Sequence, residues 1–157
     1  MNILAIETSS LVASCAIVSD DVMIAEYTMN FKKTHSQTLL PMIDEICKMT
    51  DFDINDIDAI AVSAGPGSYT GLRIGSATAK GLGLALNKPL IHVPTLEAMA
   101  YNFYDTDKII CPIMDARRNQ VYTGIYRCKC GNVTQVMEQS AIMIDELLQK
   151  LDEIGEE

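Results

Sequence analysis

Basic residues are scarce in this chain: 12 Lys and Arg stand against 21 Asp and Glu, a net charge of −9. Nucleic-acid binding rests mainly on neutralising phosphates with a basic face, and here the few cations are spread along the sequence. The chain alone is therefore expected to be a poor nucleic-acid binder, with a basic partner as its more natural match. Long apolar runs are absent too. Each hydrophobic stretch is short and broken by Gly, Lys or acids, which excludes a membrane-spanning helix. The start, Met1-Asn2-Ile3-Leu4-Ala5-Ile6, lacks the basic residues and cleavage site of a secretory leader, so a cytoplasmic location is expected. Five scattered cysteines are an odd number and suit reduced thiols better than a disulfide framework. Cys128 and Cys130 form a C-x-C pair, but no second pair stands at zinc spacing. Only two histidines occur, His35 and His92, and they form no H-x-x-x-H metal pair.

What is present is a folding chain. Hydrophobic residues make up 48% of 157 residues, enough for one domain with a real core or for two small lobes. Ile3–Ile6, Ala13–Val18 and Val22–Thr28 read as three strands, the last two joined by a turn at Asp20-Asp21. His35–Met49 has helical spacing, with Pro41 early in it. Residues 58–63 read as a fourth strand, Thr70–Leu86 as a helix, Leu90–Val93 as a short strand and Thr95–Tyr104 as a third helix. The opening pattern then recurs. Cys111–Arg117 is again an apolar strand ending in an acid, Val121–Tyr126 matches Ala13–Val18, Val133–Met137 stands for the third strand, and Ile144–Ile154 for the first helix. The reading is α/β, with a βββαβα repeat in two lobes, residues 1–105 and 106–157, the second incomplete.

The densest signal runs from Ala59 to Leu86: an apolar strand, the loop Gly65-Pro66-Gly67-Ser68, then a helix. Such a joint is either an anion cradle or a site of close packing. The Walker pattern fails, because Thr70 stands where its second Gly belongs and no Lys follows. The dinucleotide fingerprint fails at the same residue. Pro66 also removes a backbone donor. Packing fits better. Gly71, Gly75, Ala79 and Gly83 recur every four residues and so share one side of the helix. A smooth ridge admits another backbone closely. It lies either on the chain's own sheet or on another subunit. On the second reading, Gly75→Leu is expected to weaken association more than folding.

Glu7 and Asp115 end the two repeated strands. Paired carboxylates can hold a metal or work as acid and base; a hydrogen-bonded strand-end acid is the structural alternative. Ser63 and Ser68 flank the loop, but neither sits in G-x-S-x-G.

Glu7-Thr8-Ser9, His35-Ser36-Gln37-Thr38-Leu39-Leu40-Pro41, the run from Ala64 to Gly75 and Asp115-Ala116-Arg117-Arg118 together resemble the TsaB (YeaZ) family, from Met1 to at least Tyr126. The resemblance implies an actin-like ASKHA (RNase H-like) two-lobed fold. It implies a place in the bacterial machinery that makes threonylcarbamoyladenosine beside the anticodon of tRNA. In the catalytic relative TsaD, the segment equivalent to Thr95-Leu96-Glu97-Ala98-Met99 carries two metal-binding histidines. Thr95 and Met99 stand in their places here, and both are poor ligands for a hard divalent metal. The resemblance thus implies a chain with no catalytic residues and no metal ligands, whose work is to pair with a TsaD-like catalytic subunit, joined by a TsaE-like ATPase. It implies a homodimer in isolation and only indirect contact with tRNA. No intrinsic cofactor is expected; a site for ATP or ADP would belong to the junction of the complex. In the family the first two helices form the subunit interface. On this sequence that implies His35, Leu39, Leu40 and Ile43 from the first, and Gly71, Leu72, Gly75, Ser76, Ala79, Lys80 and Gly83 from the second. Two alternatives stay open: a metallopeptidase-like or ATP-using enzyme of the same superfold, and a self-associating regulator.

Overall fold

The computed structural model describes residues 1–31, 34–103 and 106–154. They form two compact units, Met1–Val93 and Pro94–Glu157.

The first unit is built on five strands: β1 (Asn2–Glu7), β2 (Ala13–Ser19), β3 (Val22–Met29), β4 (Ala59–Ser63) and β5 (Leu90–Val93), in the order β3-β2-β1-β4-β5. The first three form an antiparallel meander. Asp20 and Asp21 both take positive φ, the conformation a two-residue hairpin turn requires. β4 and β5 then run parallel to β1. Parallel neighbours need crossovers, and helices α1 (His35–Met49) and α2 (Tyr69–Leu86) supply them. Alternation along β1 sends Leu4 and Ile6 inward. They meet Ile17, Ile60 and Val62 from the sheet, Leu39, Met42, Ile43 and Ile46 from α1, and Ala79 from α2. Pro41 falls in the second turn of α1, not the first, and its side is exposed, so the helix continues through it. A short 3-10 turn at Ile54–Asp56, absent from the expected elements, leads into β4. It is fixed by Asp53, whose carboxylate accepts the Asn55 amide at 2.9 Å. The unit thus carries the mixed sheet and crossover helices of a βββαβα lobe.

The second unit contains α3 (Thr95–Ala100), β6 (Ile109–Ile110), β7 (Ile113–Arg117), β8 (Gln120–Lys129), β9 (Asn132–Met143) and α4 (Ile144–Ile154). β8 pairs antiparallel with β6, β7 and β9. The succession β7-β8-β9-α4 repeats β1-β2-β3-α1 in order and pairing. The strand expected over Cys111–Arg117 starts later, at Ile113, and β6 is an additional short strand before it; Pro112, with no N–H to give, stands between the two. β9 is longer than expected. The third helix closes at Ala100, short of the expected Tyr104, which lies outside the described residues, as does the expected lobe boundary at residue 105. α3 buries Leu96 and Ala100 with Ile110, Tyr126 and Cys128, so its core belongs to this unit.

Candidate partner interface

α2 is fixed at both ends by its own sequence. The Ser68 hydroxyl accepts the Gly71 amide at 3.2 Å, an N-cap, and Asn87 closes the helix in the left-handed conformation at φ 54°. The preceding loop is a packing joint. A Cβ at Gly67 would lie 2.4 Å from the Ser9 carbonyl oxygen, and the Ser68 amide donates to that same oxygen at 2.6 Å. The Leu72 amide is taken by the Ser68 carbonyl. The Ser68, Gly71 and Leu72 amides, which an anion cradle would offer, are therefore spent within the chain.

The small-residue ridge faces inward. Gly71, Gly75, Ala79 and Gly83 are all buried. A Cβ at Gly71 would stand 2.0 Å from the Thr8 carbonyl oxygen, and one at Gly75 would stand 2.2 Å from Thr8 Oγ1. One at Gly83 would meet Leu90 and the Lys88 carbonyl at 3.0 Å. The ridge lets α2 settle on the end of β1 in its own sheet. This corrects the interface set implied by the resemblance: Gly71, Gly75, Ala79 and Gly83 contact the chain itself, and Leu39 and Ile43 of α1 are core residues. None of the six offers surface to a partner. It also corrects the expectation for Gly75→Leu, which would strike Thr8 and damage folding first.

The remaining members do reach the surface. Leu40 is 53% exposed. His35 is half-buried, its Nε2 donating to the Ser10 carbonyl at 3.0 Å. Leu72, Ser76 and Lys80 lie together along the outer side of α2, in the wall of a cavity of about 500 Å³. The cavity runs beside the ends of β4 and β5, with Ser63 and His92 in its lining. Arg73 stands in the same wall. Its Nη1 donates to the Tyr69 hydroxyl at 2.9 Å, and its guanidinium carbon lies 5.2 Å from the Tyr69 ring centroid. That contact one helical turn away fixes the direction of the arginine. Tyr69, Ser63, Arg73 and His92 were not in the implied interface set, although Tyr69 and Arg73 lie in the run that carries the resemblance. A signal for them lay in the sequence: between Asp58 and Glu97 there is no acidic residue, while Arg73, Lys80 and Lys88 fall inside that interval.

The two acids expected at strand ends make the same local contact, though only Glu7 ends its strand. Glu7 accepts the Ser9 amide, and Asp115 accepts the Arg117 amide at 2.7 Å. Each carboxylate takes the amide two residues on, Glu7 at the end of β1 and Asp115 inside β7, which runs on to Arg117, so each is committed to local structure. Among the described residues, no three His, Cys, Asp or Glu side chains are grouped as a metal site.

Known proteins give this geometry a context. The family model for TsaD, tRNA N6-adenosine threonylcarbamoyltransferase, matches residues 24–156. The tRNA threonylcarbamoyladenosine biosynthesis protein TsaB of Bacillus subtilis is 42% identical over 98% of this chain and 67% of its own length. The chain belongs to the TsaB family. The Escherichia coli TsaB is 33% identical over 94% of the chain and 64% of its own length. The solved structure of YeaZ from Pseudomonas aeruginosa superposes with a TM-score of 0.82 at 28% identity, over 90% of this chain and 67% of that one. The chain thus spans about two-thirds of these TsaB relatives. The actin-like fold read from the sequence agrees with these likenesses. No helix among the described residues is long and apolar enough to cross a membrane.

Proposed function

We propose that this chain is a non-catalytic subunit of the machinery that transfers a threonylcarbamoyl group to the adenosine beside the anticodon of tRNA. It acts by pairing with a TsaD-like catalytic subunit and holding it in its working form, with a TsaE-like ATPase joining the assembly. The observation that carries the reading is the 42% identity to a protein of threonylcarbamoyladenosine biosynthesis across nearly the whole chain. Two residues support its non-catalytic half. Thr95 and Met99 occupy the positions where the resemblance puts the metal-binding histidines of the catalytic relative, and Thr95 is buried in the second unit. A hydroxyl and a thioether do not hold a hard divalent metal tightly. The acidic balance fits a subunit that leaves the grip on tRNA phosphates to its partners.

The surface assigned to pairing is the outer side of α1 and α2: His35, Leu40, Leu72, Ser76 and Lys80, with Tyr69 and Arg73 added. In isolation the same surface supports a homodimer. The test is to mix the purified chain with a TsaD-like subunit and determine the mass of the product by light scattering. A mixed complex that replaces the homodimer is expected. Two separate species, or stoichiometric zinc or iron held tightly by this chain alone, would overturn the reading.

A further inference from the structure

The groove on the outer side of α2 has the opposite sign to the rest of the chain. The protein carries a net charge of −9, yet the lining of this cavity holds Arg73, Lys80 and His92 and not one carboxylate. Helix α2 itself contains no acidic residue. Ser63 and Ser76 add hydroxyls to the same wall, Ala77 falls between the two cations along the helix, and Leu72 adds apolar surface next to Arg73. Neither cation has an ion pair within the described residues; Arg73 instead leans on Tyr69, which is 72% exposed.

Spacing decides what such a groove can take. Arg73 and Lys80 are seven residues apart on one helix, so their backbones are separated by about 10 Å along its axis. Arg73 leans on Tyr69, one turn back along the helix and away from Lys80, so the two cations offer separate points of attachment. A segment that presents two carboxylates about 10 Å apart matches them. Leu72 and Ala77 suit apolar contacts on the same segment.

We propose that this groove receives an acidic segment of the catalytic partner, one carboxylate meeting Arg73 beside Tyr69 and a second meeting Lys80. The proposal rests on the pairing reading above and specifies its chemistry. It runs against the simplest inference from net charge, which asks for a basic partner. Local charge sets the register of docking, and overall charge does not.

The experiment measures the dissociation constant of the chain and a TsaD-like subunit by interferometry at about 50 mM and about 300 mM NaCl, where screening differs strongly. Arg73→Glu/Lys80→Glu is compared with Arg118→Glu/Lys129→Glu, which changes net charge equally at exposed residues that do not line the groove. Arg73→Gln/Lys80→Gln serves as the milder variant, and far-UV circular dichroism confirms the fold of each. The unaltered complex is expected to weaken about 10-fold with salt, and the groove reversal to weaken it about 100-fold at low salt while the control stays within about 3-fold. The neutral variant should fall between and lose most of the salt dependence. A groove reversal no worse than the control would overturn the acidic-segment proposal while leaving pairing intact. Failure of the unaltered chain to bind at all would overturn both.

Discussion

Substituting alanine at three glycines of one helix should give opposite signs, and the difference measures how tightly α2 lies on β1. In an exposed helix interior, Gly→Ala gains about 1 kcal/mol from backbone entropy. Gly81 meets that condition: nothing lies within 4 Å of a Cβ built there. Gly81→Ala should therefore stabilise the first unit by about 1 kcal/mol. At Gly71 the new methyl would sit 2.0 Å from the Thr8 carbonyl oxygen. That atom is backbone at the end of a central strand and cannot turn aside, so relief requires moving α2 or β1. Overpacking of this kind costs about 1–3 kcal/mol, and a fixed neighbour puts it at the top, for a net loss of about 2 kcal/mol after the propensity gain. Gly75→Ala is intermediate. Its neighbour at 2.2 Å is the Thr8 hydroxyl, a side-chain atom that can rotate, for a net loss of about 1 kcal/mol. The chain has no tryptophan, so thermal melts followed by far-UV circular dichroism are the assay. At about 2–4 °C per kcal/mol, Gly71→Ala should melt about 6–12 °C below Gly81→Ala. A Gly71→Ala variant that melts at or above Gly81→Ala would refute the inward placement of the ridge.

Two further outcomes follow from the first unit. Burial pushes the Cys15 thiol from 9.0 up to about 11. Folding therefore favours the protonated thiol; the stability this gives is full below about pH 9 and is lost as pH rises toward 11, so denaturant midpoints should fall across that window. Cys15→Ala should flatten that part of the profile, and a slope unchanged by the substitution would contradict the assignment. Asn87, at φ 54°, sits where glycine is at ease and alanine is not. Asn87→Ala should cost about 1 kcal/mol and Asn87→Gly should cost nothing or gain slightly, read from the same melts.

The order of elements in the first unit was legible because period and punctuation agree there. Val22 to Thr28 follows the turn residues Asp20-Asp21, and Leu90–Val93 follows the Asn87-Lys88-Pro89 stop. The second unit was harder. Its strands carry fewer buried positions, and the break at Pro112 depends on which neighbour needs the missing amide, which a single sequence does not state. The candidate interface was half legible. Small residues every four positions show that something approaches α2 closely, but not which surface approaches. Thr8, the group that fills the ridge, lies far away in the chain and is brought there by the parallel pairing of β1 with β4. Conversely, the resemblance implied Leu72, Ser76 and Lys80 as interface residues but not Arg73 between them. The acid-free interval from Ala59 to Leu96 would have found it.

On the proposed reading, this chain contributes no catalytic group and yet is needed for the modification. The most direct measurement is threonylcarbamoyladenosine formed on tRNA by TsaD-like and TsaE-like subunits with the threonylcarbamoyl donor, assayed with the chain, without it, and with Arg73→Glu/Lys80→Glu. Full product with the unaltered chain, and little without it or with the groove variant, is the predicted result. Equal product with and without the chain, or modification by the chain alone, would contradict the account.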